Sequence, residues 1–99
     1  MQIFKVIRNK QQYENMDYDE YDSFVVACIS VDAARSTHPS ANKYSLYQYD
    51  SAKEAWVDSD GEHATYNGWP HDIENLVVER IGSANPETSG VICSSFNAG

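Results

Sequence analysis

Two short stretches of the chain carry the clearest strand patterns. IFKVIR at Ile3–Arg8 alternates apolar and charged residues, which predicts a first strand with one face toward water. SFVVACIS at Ser23–Ser30 is the most hydrophobic run, and it is short and rich in β-branched and aromatic residues. Such a run predicts a central strand.

A short helix is predicted directly after this strand. Ser30 is a favourable N-cap residue, and Asp32 places a negative charge in the first turn, where it favours the helix dipole. The helix VDAARSTH then ends before Pro39, because the residue before a proline disfavours helical geometry.

The second half of the chain predicts further strands. Tyr44–Asp50 and Lys53–Asp58 both alternate, and the short polar connection between them is typical of a hairpin. Asn75–Gly82 and GVICSSF near the end are two more strand-like runs. The expected fold class is α+β, a small mostly antiparallel sheet of about five strands with one short helix, in a single domain over residues 1–99.

Two polar segments separate these elements. NKQQYENMDYDEYD is rich in acids and tyrosine, and it predicts either a loop or a short helix followed by a turn. SDGEHATYNGWPHD is rich in turn-forming residues and predicts a long surface loop, a type of segment that often carries function.

Charge narrows the classes of partner. Fifteen acidic and seven basic residues give a formal net charge of -8. Nucleic acid and anionic lipid both need clustered Lys or Arg, so neither is expected as a direct ligand. Two readings of the acidity stay open: it matches a basic surface of another protein, or it simply keeps a small protein soluble. The chain has no signal-peptide pattern and no stretch of membrane-spanning length, which predicts a cytoplasmic location.

Reactive residues do not form a known catalytic or metal-binding pattern. Cys28 and Cys93 each lie in an apolar run, which predicts two buried thiols, or a disulfide if the two strands are neighbours. No zinc spacing, nucleophile elbow, P-loop or dinucleotide fingerprint occurs in the sequence. A non-enzymatic protein without metal or cofactor is therefore expected.

Two groups of residues are candidates for binding. Arg35, Thr37 and His38 place a guanidinium, a hydroxyl and an imidazole within four residues, which suits an anion or phosphate ester. The alternative is structural, since a cation at a helix C-terminus offsets the dipole and caps free carbonyls. The second group is aromatic, because two tryptophans and seven tyrosines exceed what so small a core can bury. Exposed tyrosine among acids suits a protein interface or a base-stacking pocket, and the structural alternative is that the tyrosines pack over the open face of a sheet.

The end of the chain, SSFNAG, contains a large apolar residue and an amide. Chain ends that fray are usually featureless, so Phe96 is expected to dock on the domain and to leave Asn97 near a specific surface.

Several of these residues resemble those of a group of small bacteriophage proteins. The resemblance lies in FVVA at Phe24–Ala27, AARSTHP at Ala33–Pro39, Trp56, and IGSA with GVICSSFNAG toward the end. It covers about half of the chain and carries no catalytic residues. It implies a phage protein that acts in the host cell, and small acidic phage proteins are often inhibitors of host immunity.

Two counter-defence functions follow as hypotheses from this resemblance. In the first, the protein sequesters a nucleotide-derived immune signal in a site that a homo-oligomer would complete. The ligand-binding residues would be Arg35, Thr37, His38, Trp69 and Asn97. In the second, the protein is an acidic, anti-CRISPR-like inhibitor that occupies a basic nucleic-acid-binding surface of a host defence protein. Its interface residues would be Asp17, Tyr18, Asp19, Glu20 and Tyr21. The first is preferred on sequence, because the resemblance concentrates in AARSTHP and SSFNAG; a phage structural or accessory role is the third reading.

Overall fold

The computed structural model describes residues 1–41 and 47–97, which form an α+β fold. Its strands are β1 (Gln2–Ile7), β2 (Glu20–Cys28), β3 (Gln48–Asp50), β4 (Ala55–Val57), β5 (Val77–Ser83) and β6 (Gly90–Asn97). Its helices are α1 (Lys10–Glu14) and α2 (Val31–Arg35), and a 3-10 turn covers Ile73–Asn75. The predicted fold class is confirmed, with one strand and one helix more than expected.

Four strands form an antiparallel sheet in the order β5-β1-β2-β6. Phe4 lies opposite Val26, and Val6 lies opposite Phe24, across the central pair. Because directly opposed residues share a face, these four side chains lie together on one side of the sheet. Each is at most 1% exposed, so this face is the one that packs into the core.

A second layer covers that face. It consists of α2, the β3–β4 hairpin and the long loop that precedes β5, and it contributes Ala34, Trp56, Trp69 and Leu76 to the core. The predicted hairpin is confirmed, since β3 and β4 pair antiparallel. The predicted start of its first strand, residues 44–46, lies outside the described residues.

Helix α2 begins where the sequence predicts and ends earlier. The Ser30 side chain accepts a hydrogen bond from the Ala33 N–H at 3.1 Å, which makes Ser30 the N-cap. The helix stops at Arg35, with Ser36 as its C-cap, rather than at His38. The Thr37 hydroxyl donates to the Ala33 carbonyl at 2.7 Å and so satisfies one of the carbonyls that the helix end leaves open.

For the acidic segment, the second predicted alternative is confirmed: α1 is a short helix followed by a turn, and β2 already begins at Glu20. The expectation of two buried thiols is wrong, because both cysteines are free, Cys28 is half-buried and Cys93 is exposed. Strands β2 and β6 are indeed neighbours, yet the residue opposite Cys93 is Val25 and not Cys28.

None of the helices in residues 1–41 and 47–97 is both long and apolar enough to cross a membrane.

Candidate functional site

Two loops meet at the start of β2, one at residues 17–20 and the other at residues 65–69. The Tyr21 N–H donates to the Gly68 carbonyl at 2.9 Å, which holds the second loop against the strand. Gly68 has a φ of 80°, and a Cβ at this position would lie 3.2 Å from the Asp19 carbonyl oxygen. Only glycine combines this backbone conformation with so close an approach.

Arg8 holds both loops in place through hydrogen bonds of its guanidinium. Its side chain is buried, and its Nε donates to the Tyr21 carbonyl at 2.7 Å. Its Nη2 donates to Glu20 Oε1 at 2.9 Å and to the Gly68 carbonyl at 3.2 Å. The Glu20 carboxylate therefore neutralises Arg8, and one guanidinium joins the first strand to both loops.

The two loops form an open pocket of about 450 Å³, which we call the acidic pocket. The remaining Glu20 oxygen accepts the Asp17 N–H, so this carboxylate is held at both ends. Asp17 and Asp19 are exposed at the rim, where they add negative charge that Arg8 does not balance. Tyr18 and Tyr66 are 75% and 96% exposed. The pocket is lined by Asp17, Tyr18, Asp19, Glu20, Thr65, Tyr66, Gly68 and Trp69. Carboxylates beside exposed tyrosine rings are suited to binding a cation.

Trp69 lines this pocket and is itself only 2% exposed. The Phe24 ring packs edge-on against it with centroids 5.3 Å apart, and the Arg8 guanidinium carbon lies 5.5 Å from its ring centroid. The indole Nε1 is buried without a hydrogen-bond acceptor among the described residues. Trp69 thus belongs to the core that supports the pocket and does not offer an open ring for stacking a base.

His38 lies in the core, at 1% exposure. The Ser40 N–H donates to its Nδ1 at 3.1 Å, so its Nε2 carries the proton and donates to the Asn67 carbonyl at 2.9 Å. The Tyr21 and Trp56 rings contact the imidazole edge-on. Burial lowers the pKa of His38 to about 4, which keeps it neutral. A neutral, enclosed imidazole does not present a charge to a phosphate.

Arg35 and Thr37 are engaged in the fold. Arg35 Nη1 donates to three main-chain carbonyls of the 3-10 turn and its C-cap, at distances from 2.6 to 3.2 Å. These are the carbonyls of Ile73, Glu74 and Leu76. The Thr37 hydroxyl caps α2, as described above. Of the two readings that the sequence leaves open for these residues, the contacts match the structural one.

The surface beside Arg35 is acidic. A hollow of about 300 Å³ there is also lined by Asp32, Glu54 and Glu74. Carboxylates on several sides of one guanidinium disfavour a phosphate by charge repulsion and desolvation.

Asn97 lies at the acidic pocket's edge and away from the helix end that carries Arg35. Its carbonyl accepts the Asp19 N–H at 2.6 Å, and it lies opposite Glu20 in the sheet. Phe96 rests against the Tyr21 ring, with centroids 4.8 Å apart, as expected for a docked chain end. The structure therefore gathers Trp69 and Asn97 around the interface residues 17–21.

Within the predicted interface set, the roles divide. Glu20 and Tyr21 hold the pocket together, whereas Asp17, Tyr18 and Asp19 are exposed on its rim. Sequence reasoning did not assign Arg8, Gly68, Thr65 or Tyr66 to the site. Only Asn67-Gly68, a turn signature, pointed to a special backbone position, and nothing local to Arg8 marks it as the residue that joins two distant loops.

Histidine and acid side chains elsewhere do not assemble a metal site. His63 and His71 stack with centroids 4.6 Å apart, and the Trp56 N–H donates to His71 Nδ1 at 3.0 Å. Within residues 1–41 and 47–97, no group of three or more His, Cys, Asp or Glu side chains is placed to hold a metal ion.

No protein-family model, curated protein or solved structure matches this chain. The function is therefore to be sought in the geometry and charge of the acidic pocket.

Proposed function

We propose that this chain is a non-enzymatic binding protein whose acidic pocket docks onto a basic surface of another protein. By the phage resemblance, that partner is a host defence protein in the cytoplasm, and the basic surface is one that otherwise binds nucleic acid. The observation that carries the proposal is the pocket itself, in which exposed carboxylates and two exposed tyrosines surround a prearranged hollow.

The rigidity of the two loops that form the pocket supports this proposal. Glu20 is held by Arg8 on one oxygen and by the Asp17 N–H on the other, and Gly68 locks the second loop to β2. The backbone of loops held in this way loses little conformational entropy when a partner binds. Asp17 and Asp19 are exposed on the rim of the pocket, where Lys or Arg side chains of a partner can approach them, and the negative net charge steers a basic partner toward them.

The two exposed tyrosines supply the aromatic part of the proposed interface. Tyr18 and Tyr66 lie on opposite loops of the same pocket. A tyrosine offers a large rigid area and a polar hydroxyl, and its ring attracts a cation by about 0.5–1 kcal/mol at exposed sites. An arginine-rich segment offers both the charge and the flat guanidinium planes that such a pocket accommodates.

The nucleotide-sequestering hypothesis stays a prediction, and the geometry supports it less well. The side chains that it assigns to phosphates are His38, Arg35 and Thr37, of which the first is enclosed and the other two bond to main-chain carbonyls. Its stacking residue, Trp69, is only 2% exposed, with the Arg8 guanidinium over its ring and Phe24 packed against it.

The proposal is tested with a short arginine-rich peptide and the same peptide with every arginine replaced by glutamine. Calorimetric titration should show binding of the first alone, and binding should weaken as salt is raised. The double variant Asp17→Asn with Asp19→Asn should lose at least about tenfold in affinity, because each tenfold corresponds to 1.4 kcal/mol.

The matched control removes the same charge elsewhere. Asp60→Asn with Glu87→Gln neutralises two exposed acids outside the pocket and should leave the affinity within about twofold. Equal losses in both double variants would show that net charge alone attracts the peptide, and the pocket would then not be the binding site.

A further inference from the structure

Strand β6 forms one edge of the four-stranded sheet and carries no charged residue. It lies in the longest uncharged run of the whole sequence, residues 88–99. An exposed edge strand presents a row of main-chain donors and acceptors that another strand can pair with. Proteins usually protect such edges, most often with charged side chains, prolines or covering segments.

The other edge of the sheet, strand β5, has the charged side chains that usually protect an edge strand. Strand β5 carries Glu79 and Arg80 near its middle, both exposed. Both edge strands expose apolar side chains, Ile81 at 55% on β5 and Ile92 at 51% and Phe96 at 49% on β6, but β6 has no charged residue among them. The two edge strands therefore differ in charge, and charged side chains on an edge strand disfavour the addition of another strand.

The direction of the β6 main chain identifies the residues available for pairing. The Asn97 carbonyl points toward the β2 side, where it accepts the Asp19 N–H. Peptide groups alternate in direction along a strand, so the N–H and C=O of Phe96 and Ser94 point to the free edge. A bulge leaves Ile92 without a partner in β2, and from Cys93 onward β6 continues without an extra residue.

We propose that β6 pairs antiparallel with β6 of a second copy of this chain, about a twofold axis at Ser94. In this register Ser94 faces the second copy's Ser94, and Phe96 faces the second copy's Ile92. The strand is thus complementary to itself, and each aromatic–β-branched pair across two strands is stabilising. A twofold interface of this kind uses the same surface patch on both copies.

Charge explains why a second copy is the occupant. Each chain carries a net charge of -8, so two copies repel one another wherever acids face acids. The uncharged β6 strip is where two such molecules approach with least repulsion. Strand β6 contributes none of the residues that line the acidic pocket, although its last residue, Asn97, lies at the pocket's edge.

The mass in solution tests the proposal. Sedimentation at high micromolar concentration should give twice the chain mass of 11.1 kDa. Ile92→Lys should reduce the mass twofold, since it brings two like charges to the paired edge. Ile81→Lys makes the same change on the other edge strand, at a residue of similar exposure (55%), and should leave the dimer intact. A wild-type monomer, or a dimer broken by Ile81→Lys and not by Ile92→Lys, overturns the proposal.

Cross-linking tests the register. Ser94→Cys in a Cys93→Ser background should form a disulfide between copies under mild oxidation, because directly opposed residues lie within disulfide reach. Ser83→Cys in the same background, on β5, is the control and should remain monomeric on a denaturing gel. Equal cross-linking of both variants, or none at position 94, contradicts the register. Circular dichroism of each variant verifies that the fold is kept.

Discussion

The hydrogen bonds of the His38 imidazole determine its tautomer. Nδ1 accepts from the Ser40 N–H and Nε2 donates to Asn67, so a single neutral tautomer satisfies both neighbours. A second proton on Nδ1 would face a donor in a place with little water. Burial, which disfavours the charged imidazolium, lowers the pKa of His38 to about 4, from 6.5 in an unfolded chain.

We predict that the free energy of unfolding falls as the pH is lowered from 6.5 toward 4. In this window the unfolded chain binds a proton at His38 and the folded chain does not, so acid favours unfolding. The contribution is fully present above pH 6.5, and its loss reaches at most about 1.4 kcal/mol per pH unit for one proton. The pKa of His71 is also lowered, by burial and by His63, and it adds in the same direction. Urea unfolding at a series of pH values measures the slope.

His38→Gln provides the control for this prediction. The variant should be less stable at neutral pH and should show a shallower slope between pH 6.5 and 5, where carboxylates contribute little. A slope equal to that of the wild-type protein would mean that other groups cause the pH dependence.

Individual elements of this fold are short and depend on their ends. Helix α2 has five residues, and such a helix is not stable alone in water. It is held by the Ser30 cap at its start and by Arg35 at its end, which ties it to the 3-10 turn before β5. The two loops of the acidic pocket are fixed in a similar way, by Arg8 and by the close approach at Gly68.

Gly68→Ala should destabilise the fold more than Gly61→Ala. Both glycines have a positive φ, near 80°, so alanine is strained at either position by about 1–2 kcal/mol. At Gly61 an added Cβ meets nothing within 4 Å, whereas at Gly68 it meets the Asp19 carbonyl at 3.2 Å. We expect the difference in unfolding free energy to be about 1 kcal/mol, and peptide binding should weaken only in Gly68→Ala. Equal destabilisation and equal binding would show that the two loops are not in tight contact.

At the scale of the whole molecule, charge is unbalanced. The ion pairs of the described residues include Arg8–Glu20, in which the guanidinium is buried, and Lys10–Glu14, which is exposed with its charged atoms 3.9 Å apart. Fifteen acidic residues outnumber seven basic ones, so acids repel one another across the surface. Charge repulsion therefore destabilises the compact folded state, whose stability depends on the apolar core.

Sodium chloride should raise the free energy of unfolding at neutral pH, by on the order of 1 kcal/mol, because salt screens the repulsion among exposed acids. Thermal unfolding over a range of salt concentrations measures this effect. Asp60→Asn with Glu87→Gln should be more stable than the wild-type protein at low salt and should respond less to added salt. A fall in stability with salt would mean that attractive ion pairs outweigh the repulsion.

The sequence alone was sufficient for the local features of the fold. Alternation predicted β1, the apolar run predicted β2, and Ser30 marked the start of α2, because strand periodicity and helix capping depend on neighbouring residues. It also predicted that several tyrosines would remain exposed, as Tyr18 and Tyr66 are.

Tertiary structure decided the roles of the candidate residues. Arg35 and His38 lie within a motif that suits phosphate binding, yet Arg35 caps a distant turn and His38 is buried against the Tyr21 and Trp56 rings. Arg8 and Gly68, sixty residues apart, meet through one hydrogen bond and shape the pocket. Sequence spacing does not show which residues converge, because burial and long-range hydrogen bonds arise only when the sheet and the loops pack together.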